Sequence, residues 1–171
     1  MFALKKIAIT SSIVIAALSL SACGFHLRGS TGATAMTYKT LSIIGDSKSN
    51  LPNQLADVMR GQVIQVTPPA PAQVTAEIGD IVHTKAVSSK NAAGRAIEYR
   101  LSTFATMQAY DANKKQLIAP VRLSISRTLS AGDGYDTGLD LEESRLYNDI
   151  DIELANQMQY RLRAIKLNGA P

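Results

Sequence analysis

The sequence predicts an α/β fold: a two-layer sandwich in which a mixed four- to five-stranded sheet carries two helices packed on one face. Three observations predict it. The first is a pair of long segments with a period of two. In Glu98 to Tyr110, the side chains of Tyr99, Leu101, Thr103, Ala105, Met107 and Ala109 fall on one side. Glu98, Arg100, Ser102, Thr106 and Gln108 fall on the other, and Phe104 breaks the pattern. Leu117 to Leu129 repeats this, with Val121, Leu123 and Ile125 against Arg122, Ser124, Ser126 and Thr128. Such alternation marks an antiparallel pair with one packed face and one polar face. The second is a long helical stretch, Asp140 to Ile165, with Tyr147, Ile150, Leu154, Met158, Leu162 and Ile165 at three- and four-residue spacing. The third is the order of elements, β-α-β-β-β-β-α, which contains no internal repeat.

Taken in order, Tyr38 to Ile44 is rich in β-branched and apolar residues and reads as a strand closed by the turn Gly45-Asp46-Ser47. A short helix follows. Ser49 or Asn50 can cap it, Pro52 suits its first turn, and Leu51, Leu55, Val58 and Met59 share a face. Gly61 ends it. Gln62 to Val66 reads as a second strand, and Pro68-Pro69-Ala70-Pro71 as a stiff connection. In Val74 to Thr84, Val74, Ala76 and Ile78 share a face, and Gly79 marks a bulge that shifts the phase to Ile81. Ala86 to Ala96 reads as a loop carrying Lys90 and Arg95, and Ala131 to Gly138 as a second loop. Glu142 and Glu143 near the start of the long helix, and Arg161, Arg163 and Lys166 near its end, complement its macrodipole. At 1.5 Å per residue that helix is roughly 35–40 Å long, enough to cross the sheet.

Composition narrows the functional classes. With no Trp and 5% aromatic residues, the core has to be aliphatic. The basic residues are scattered rather than gathered on one face, which excludes a nucleic-acid footprint. The two histidines are far apart, His26 beside Cys23 and His83 at the end of a strand, and no cluster of Cys and His gathers at either, so no zinc site is expected. Gly132-Asp133-Gly134 lacks the rest of any phosphate-cradling or calcium loop, and Asp133, Asp136 and Asp140, which could form a weak cation site, read as a solvated acidic loop. There is no G-x-S-x-G, and no serine or threonine has an evident base. Glu98 is expected to pair with a neighbouring base rather than act as a general acid. No enzyme is expected.

The N-terminus carries the clearest chemistry. Lys5 and Lys6 precede a short apolar run, Ile7 to Leu20, in the pattern of a secretory signal. The run is shorter than the ~20 apolar residues of a membrane span. It ends in Leu20-Ser21-Ala22-Cys23, which resembles the bacterial lipobox, in which the cysteine becomes the acylated first residue of the mature protein. Cys23 is the only cysteine, so the mature chain holds no internal disulfide. An S-linked diacylglycerol and an N-acyl group on Cys23 supply more than the two hydrophobic signals that stable anchoring takes. No other cofactor is expected. Loss of residues 1–22 removes Lys5 and Lys6 and brings the formal charge from +4 to +2. The resulting plan is a lipoprotein signal peptide over 1–22, a lipidated tether over 23–37 and one α/β domain over 38–167. Gly24 behind the cysteine, rather than Asp, resembles lipoproteins sorted to the outer membrane.

Cys23-Gly24-Phe25-His26-Leu27-Arg28-Gly29 resembles the mature start of the LptE family, and Ala96-Ile97-Glu98-Tyr99-Arg100-Leu101 resembles that family's Glu-Tyr entry into a long central strand. The resemblance implies a non-catalytic lipoprotein of the cell outer membrane, facing the periplasm or seated inside its partner. That partner is the LptD β-barrel, which it plugs as a heterodimer and whose assembly it supports. Together the two place lipopolysaccharide in the outer leaflet, and the family binds lipopolysaccharide itself. Its lipopolysaccharide contacts map onto Lys90 and Arg95, whereas the start of the last helix, Leu139-Asp140-Leu141-Glu142-Glu143, lacks the expected base. The alternatives are a stand-alone lipid carrier or another periplasm-facing outer-membrane lipoprotein. A carrier requires a deep apolar cavity, which the aliphatic alternation argues against.

Overall fold

The computed structural model describes residues 36–131 and 138–167. The expected signal segment, Cys23, most of the expected tether, and Asp133 and Asp136 lie outside the described residues. The elements are β1 (Thr40–Gly45), α1 (Leu51–Met59), β2 (Ile64–Gln65), β3 (Val74–Lys90), β4 (Ala96–Asp111), β5 (Gln116–Ser130) and α2 (Leu139–Arg163). They form a five-stranded sheet in the order β2-β1-β3-β4-β5. β1 runs parallel to both β2 and β3, and β3, β4 and β5 are antiparallel. The expected mixed sheet with two helices on one face is therefore observed.

Local chemistry explains the elements. Asn50 occupies the cap position of α1 without a side-chain bond, while the Ser49 hydroxyl accepts from the Leu51 N–H at 3.2 Å. Gly61, at φ +76°, follows the helix in the left-handed region that ends it. Where β1 ends, the chain runs so close to α1 that a Cβ on Gly45 would lie 2.6 Å from Pro52 Cγ. In β3 the ladder shifts between Gly79 and Val82, with Asp80 at φ +49°. This bulge turns Ile81 onto the core, as the phase change in the sequence requires.

Beyond shifts of one or two residues at the ends of β1, β4, β5 and α2, two elements differ in extent from the sequence reading. β2 is only Ile64–Gln65, because Gln62 and Val63 are spent on the turn after Gly61. β3 does not stop at Thr84 but continues to Lys90, so His83 lies inside the strand and only Asn91–Arg95 forms a turn. The reason is pairing. Ala86, Val87 and Ser89 find partners in Arg100, Tyr99 and Glu98, which satisfies backbone groups that a loop would leave to water. Glu98 registers with Ser89 and Ser130 and takes part in no ion pair among the described residues, contrary to the expected pairing with a base.

The core lies between the sheet and both helices. Leu41, Leu55, Met59, Leu101, Met107, Leu154, Met158 and Leu162 are fully buried. Each buried side chain of this size contributes about 1.5–3 kcal/mol relative to exposure. Tyr38 is its aromatic member, and its hydroxyl donates to the Leu162 carbonyl at 3.3 Å. No helix among the described residues is long and apolar enough to cross a membrane.

Candidate functional site

Three features of the fold bear on function: the tip of the β3–β4 hairpin, the uncovered sheet face, and a polar row beneath α2. The tip is closed by Asn91, whose side-chain oxygen accepts from the N–H groups of Ala93 and Arg95, each at 3.0 Å. The Asn91 N–H donates to the Arg95 carbonyl at 2.8 Å, and Gly94 adopts φ +78° to reverse the chain. A turn knotted this way holds Lys90 and Arg95 at the two strand ends, both exposed. The ion pairs among the described residues are Arg60–Asp57, Lys85–Glu143 and Arg127–Glu153, so neither tip cation is in one. At the opposite end of the sheet, the Thr37 hydroxyl donates to the Ile165 carbonyl at 2.8 Å, next to where the chain enters β1. At ~3.3 Å per residue, β3 carries the tip roughly 50 Å from that base.

The sheet face away from the helices is polar and, among the described residues, uncovered. Thr84, Ala86, Arg100, Arg122, Ser124, Ser126, Thr128 and Ser130 are exposed on it. Its side chains bond within the face: Ser102 and Ser126 share a hydroxyl–hydroxyl bond of 2.8 Å, and Gln108 donates to Glu77 at 2.8 Å. Phe104, which breaks the alternation, is capped by Arg122, with its guanidinium carbon 4.8 Å from the ring centroid. Val82 is opposite Phe104 in the ladder, so the two form a small apolar island on an otherwise hydroxyl-rich surface.

The polar row was only partly legible in the sequence. His83 Nδ1 lies 2.8 Å from the Thr103 hydroxyl, and the imidazole meets the Tyr147 ring edge-on at 4.9 Å. Asp151, 5% exposed, sits between Ile150 and Ile152 with one carboxylate oxygen lacking any partner among the described residues. Burial pushes its carboxyl above the usual carboxylate range, and His83 and the Thr103 hydroxyl pull it part of the way back. The hydroxyl lies between the imidazole and the carboxylate, whereas a nucleophilic triad requires the imidazole in the middle. This arrangement does not activate Thr103. Thr103 appears in the sequence as one more member of an alternating strand, and Asp151 as a break in the helix stripe; only their juxtaposition reveals the row. Among the described residues no group of three His, Cys, Asp or Glu side chains could hold a metal ion, and Asp140 stands exposed in the first turn of α2.

Comparison with known proteins places this architecture. A comparison with curated proteins by sequence returns no match. Among solved structures, the fold is similar to an uncharacterized lipoprotein B from Nitrosomonas europaea, with a TM-score of 0.65 at 20% identity, covering 80% of this chain and 88% of that one. It is similar to a minor lipoprotein from Acinetobacter baumannii, with a TM-score of 0.63 at 18% identity, covering 75% and 93%. A rare lipoprotein B from Shewanella oneidensis gives a TM-score of 0.60 at 16% identity, covering 70% and 90%. These likenesses concern the fold. The family itself is shown by the sequence: the family model described as LptE, Lipopolysaccharide-assembly, matches residues 38–162, from the entry of β1 to the last buried leucine of α2. The chain belongs to the LptE family.

Proposed function

We propose that this chain is a lipoprotein of the outer membrane that plugs the LptD β-barrel and, with it, assembles lipopolysaccharide into the outer leaflet. The observation that carries the reading is the uncovered, hydroxyl-rich sheet face in a chain of the LptE family. The lumen of an outer-membrane barrel is polar. A flat face of serine and threonine side chains can approach such a wall closely and exchange hydrogen bonds with it. On this reading residues 1–22 are the signal peptide, 23–37 the tether and 38–167 the working domain, with Cys23 carrying the N-acyl and S-diacylglycerol chains. The chain does no catalysis; it also supports assembly of the barrel.

Dimensions support the same reading. The domain begins at the base of the sheet, and the hairpin tip is roughly 50 Å away. A bilayer is ~40–45 Å thick including its headgroups. A domain tethered in the inner leaflet and standing in a barrel thus has the reach to present Lys90 and Arg95 to the outer leaflet. There the guanidinium fork of Arg95 suits a lipid A phosphate, which it can bind through two parallel N–H donors. A stand-alone carrier needs room for acyl chains inside the domain, but Leu101, Met107, Leu154 and Met158 fill the space between sheet and helices.

Purification of the mature protein in mild detergent at native expression tests the proposal. It should come away with a large outer-membrane barrel in a one-to-one complex. Recovery as a free monomer, with the barrel intact in the same membranes, would reject it. The lipid contact is tested separately: a K90E/R95E variant should keep the barrel and lose most of its binding to lipopolysaccharide. Unchanged lipid binding would remove those two residues from the contact.

A further inference from the structure

Along α2 the side turned to the sheet changes character at one point. From Ile150 onward it is closed and, apart from the buried Asp151, apolar, with Ile150, Leu154, Ala155, Met158 and Leu162 buried. Between Leu139 and Asp149 no side chain is buried, and Gly138 caps the helix without a side-chain bond. In that first part Leu139, Leu146 and Tyr147 reach the core only partly buried, and polar contacts repeat beside them at one-turn spacing. Glu143 pairs with Lys85, whose ammonium also lies 4.6 Å from the Tyr99 ring centroid. Tyr147 packs against His83, and Asp151, one turn on, faces Thr103. Regions with few buried apolar contacts open locally at lower cost than the core they adjoin.

We propose that Leu139–Asp149 is a strap that opens from the sheet as a unit while the rest of α2 stays closed, and that ionisation of Asp151 drives the opening. The unpartnered oxygen of Asp151 is the reason. A neutral carboxyl tolerates that site, whereas a carboxylate there is buried with half of its acceptor capacity unused. Unwinding the preceding turns admits water to that oxygen, so the ionised form favours the open strap. His83 opposes this: its imidazole bonds to Thr103, and both side chains favour the carboxylate in place. The other charged groups near the row are Lys85 and Glu143, which pair with each other, and Arg127 and Glu153, which pair between β5 and α2. From α1 the contribution is neutral, a Gln54–Asn148 bond.

The sign follows. Burial raises the Asp151 carboxyl in the closed state, so the closed state binds the proton more tightly than the open one. Closure is fullest at acid pH and is lost as pH rises through the raised value. Opening parts Glu143 from Lys85, whose ammonium lies over Tyr99 on the ribbon behind the basic tip. The inference does not rest on lipid binding, because no ligand is needed to observe it.

Hydrogen exchange of the full mature chain in detergent, from about pH 4, the ordinary carboxylate value, up to pH 8 and corrected for intrinsic rates, tests it. Amides of the strap should exchange at least tenfold faster than those of Leu154–Arg163, and the excess should grow with pH. D151N should abolish that growth while leaving Leu154–Arg163 protected. H83Q keeps the carboxylate, removes its compensation, and should increase strap opening wherever Asp151 is ionised. E143Q loosens the first turn without removing the pH dependence. Equal protection along all of α2, or an undiminished pH dependence in D151N together with no effect of H83Q, would overturn the proposal.

Discussion

β4 has two sides that share one backbone and differ in everything else. Toward the helices, Leu101, Ala105, Met107 and Ala109 have no exposure at all. Toward the other side, Arg100 is exposed, Thr106, Phe104 and Gln108 are half-buried, and the polar groups bond to one another across strands. Both sides alternate with the same period and both occupy the middle of the sheet. The difference therefore lies in what covers them: α1 and α2 dictate volume on one side, while nothing among the described residues dictates it on the other. The inner side specifies the fold, and the outer side is free to specify a partner.

The comparison breaks most sharply if the two sides prove equally sensitive to truncation. Leu154→Ala, beneath β4, should cost about 2–5 kcal/mol, the range for deleting a buried leucine that its surroundings cannot fully replace. Ser124→Ala, on the open side, should stay within about 0.5 kcal/mol. Denaturant midpoints at unchanged slope measure both. A comparable loss at Ser124 would mean that the outer side also carries the fold. Next in size is Gly45→Ala, where the new Cβ meets the Pro52 ring at 2.6 Å and the Ile78 carbonyl at 3.3 Å. Neither neighbour is the free end of a flexible side chain, so overpacking of about 1–3 kcal/mol is expected in the same assay.

A smaller effect separates the sides by pH. Burial raises the Tyr38 phenol strongly, and burial followed by the Glu143 carboxylate raises that of Tyr147. The bond from Glu143 holds the Lys85 ammonium above its usual value. All three groups are on the helix side. Each keeps its proton better in the folded chain, so its contribution is complete below the unfolded value, about 10 for both types, and is lost as pH rises above it. Thermal melts should therefore drop steeply above about pH 10. Tyr38→Phe should flatten the drop, at a neutral-pH cost of about 0.5–1.5 kcal/mol for the lost hydrogen bond to Leu162. An unchanged alkaline limb in that variant would remove Tyr38 from the account.

How far the sequence reaches follows the same division. The alternation in β4 and β5, the stripe of α2 and the bulge at Gly79 are local patterns, and each appears in the fold where the pattern puts it. What escapes is settled by pairing across the sheet. The segment after Thr84 has a glycine, two bases and small residues, which read as a loop, yet β4 supplies a partner strand and the ladder runs on to Lys90. The candidate contacts divide likewise. Lys90 and Arg95 were nameable from family resemblance, but their position at the two ends of a tight turn comes only from the register. Asp151 and Thr103 are separated by the rest of β4, all of β5 and half of α2, and no spacing rule brings them together. Phe104, an exception in the pattern, becomes intelligible only beside Arg122.

The smallest effect on stability is the most informative about function. Ser124 is exposed on β5 and registers with Phe104, so a large side chain there meets that partly exposed ring and solvent but no core atom. Ser124→Trp should leave the melting temperature and the denaturant midpoint nearly unchanged, within about 0.5 kcal/mol of folding free energy. On the proposed reading the same change stands between the sheet and the barrel wall, where a bulky ring prevents the close approach that a hydroxyl allows. Co-purification of the barrel should then fall sharply while the variant remains folded. Leu154→Ala should show the reverse order, losing stability first and the partner only as a consequence. If Ser124→Trp retains the barrel at full yield, the wall contact lies on another surface, and the outer side of β4 and β5 is bare for some other reason.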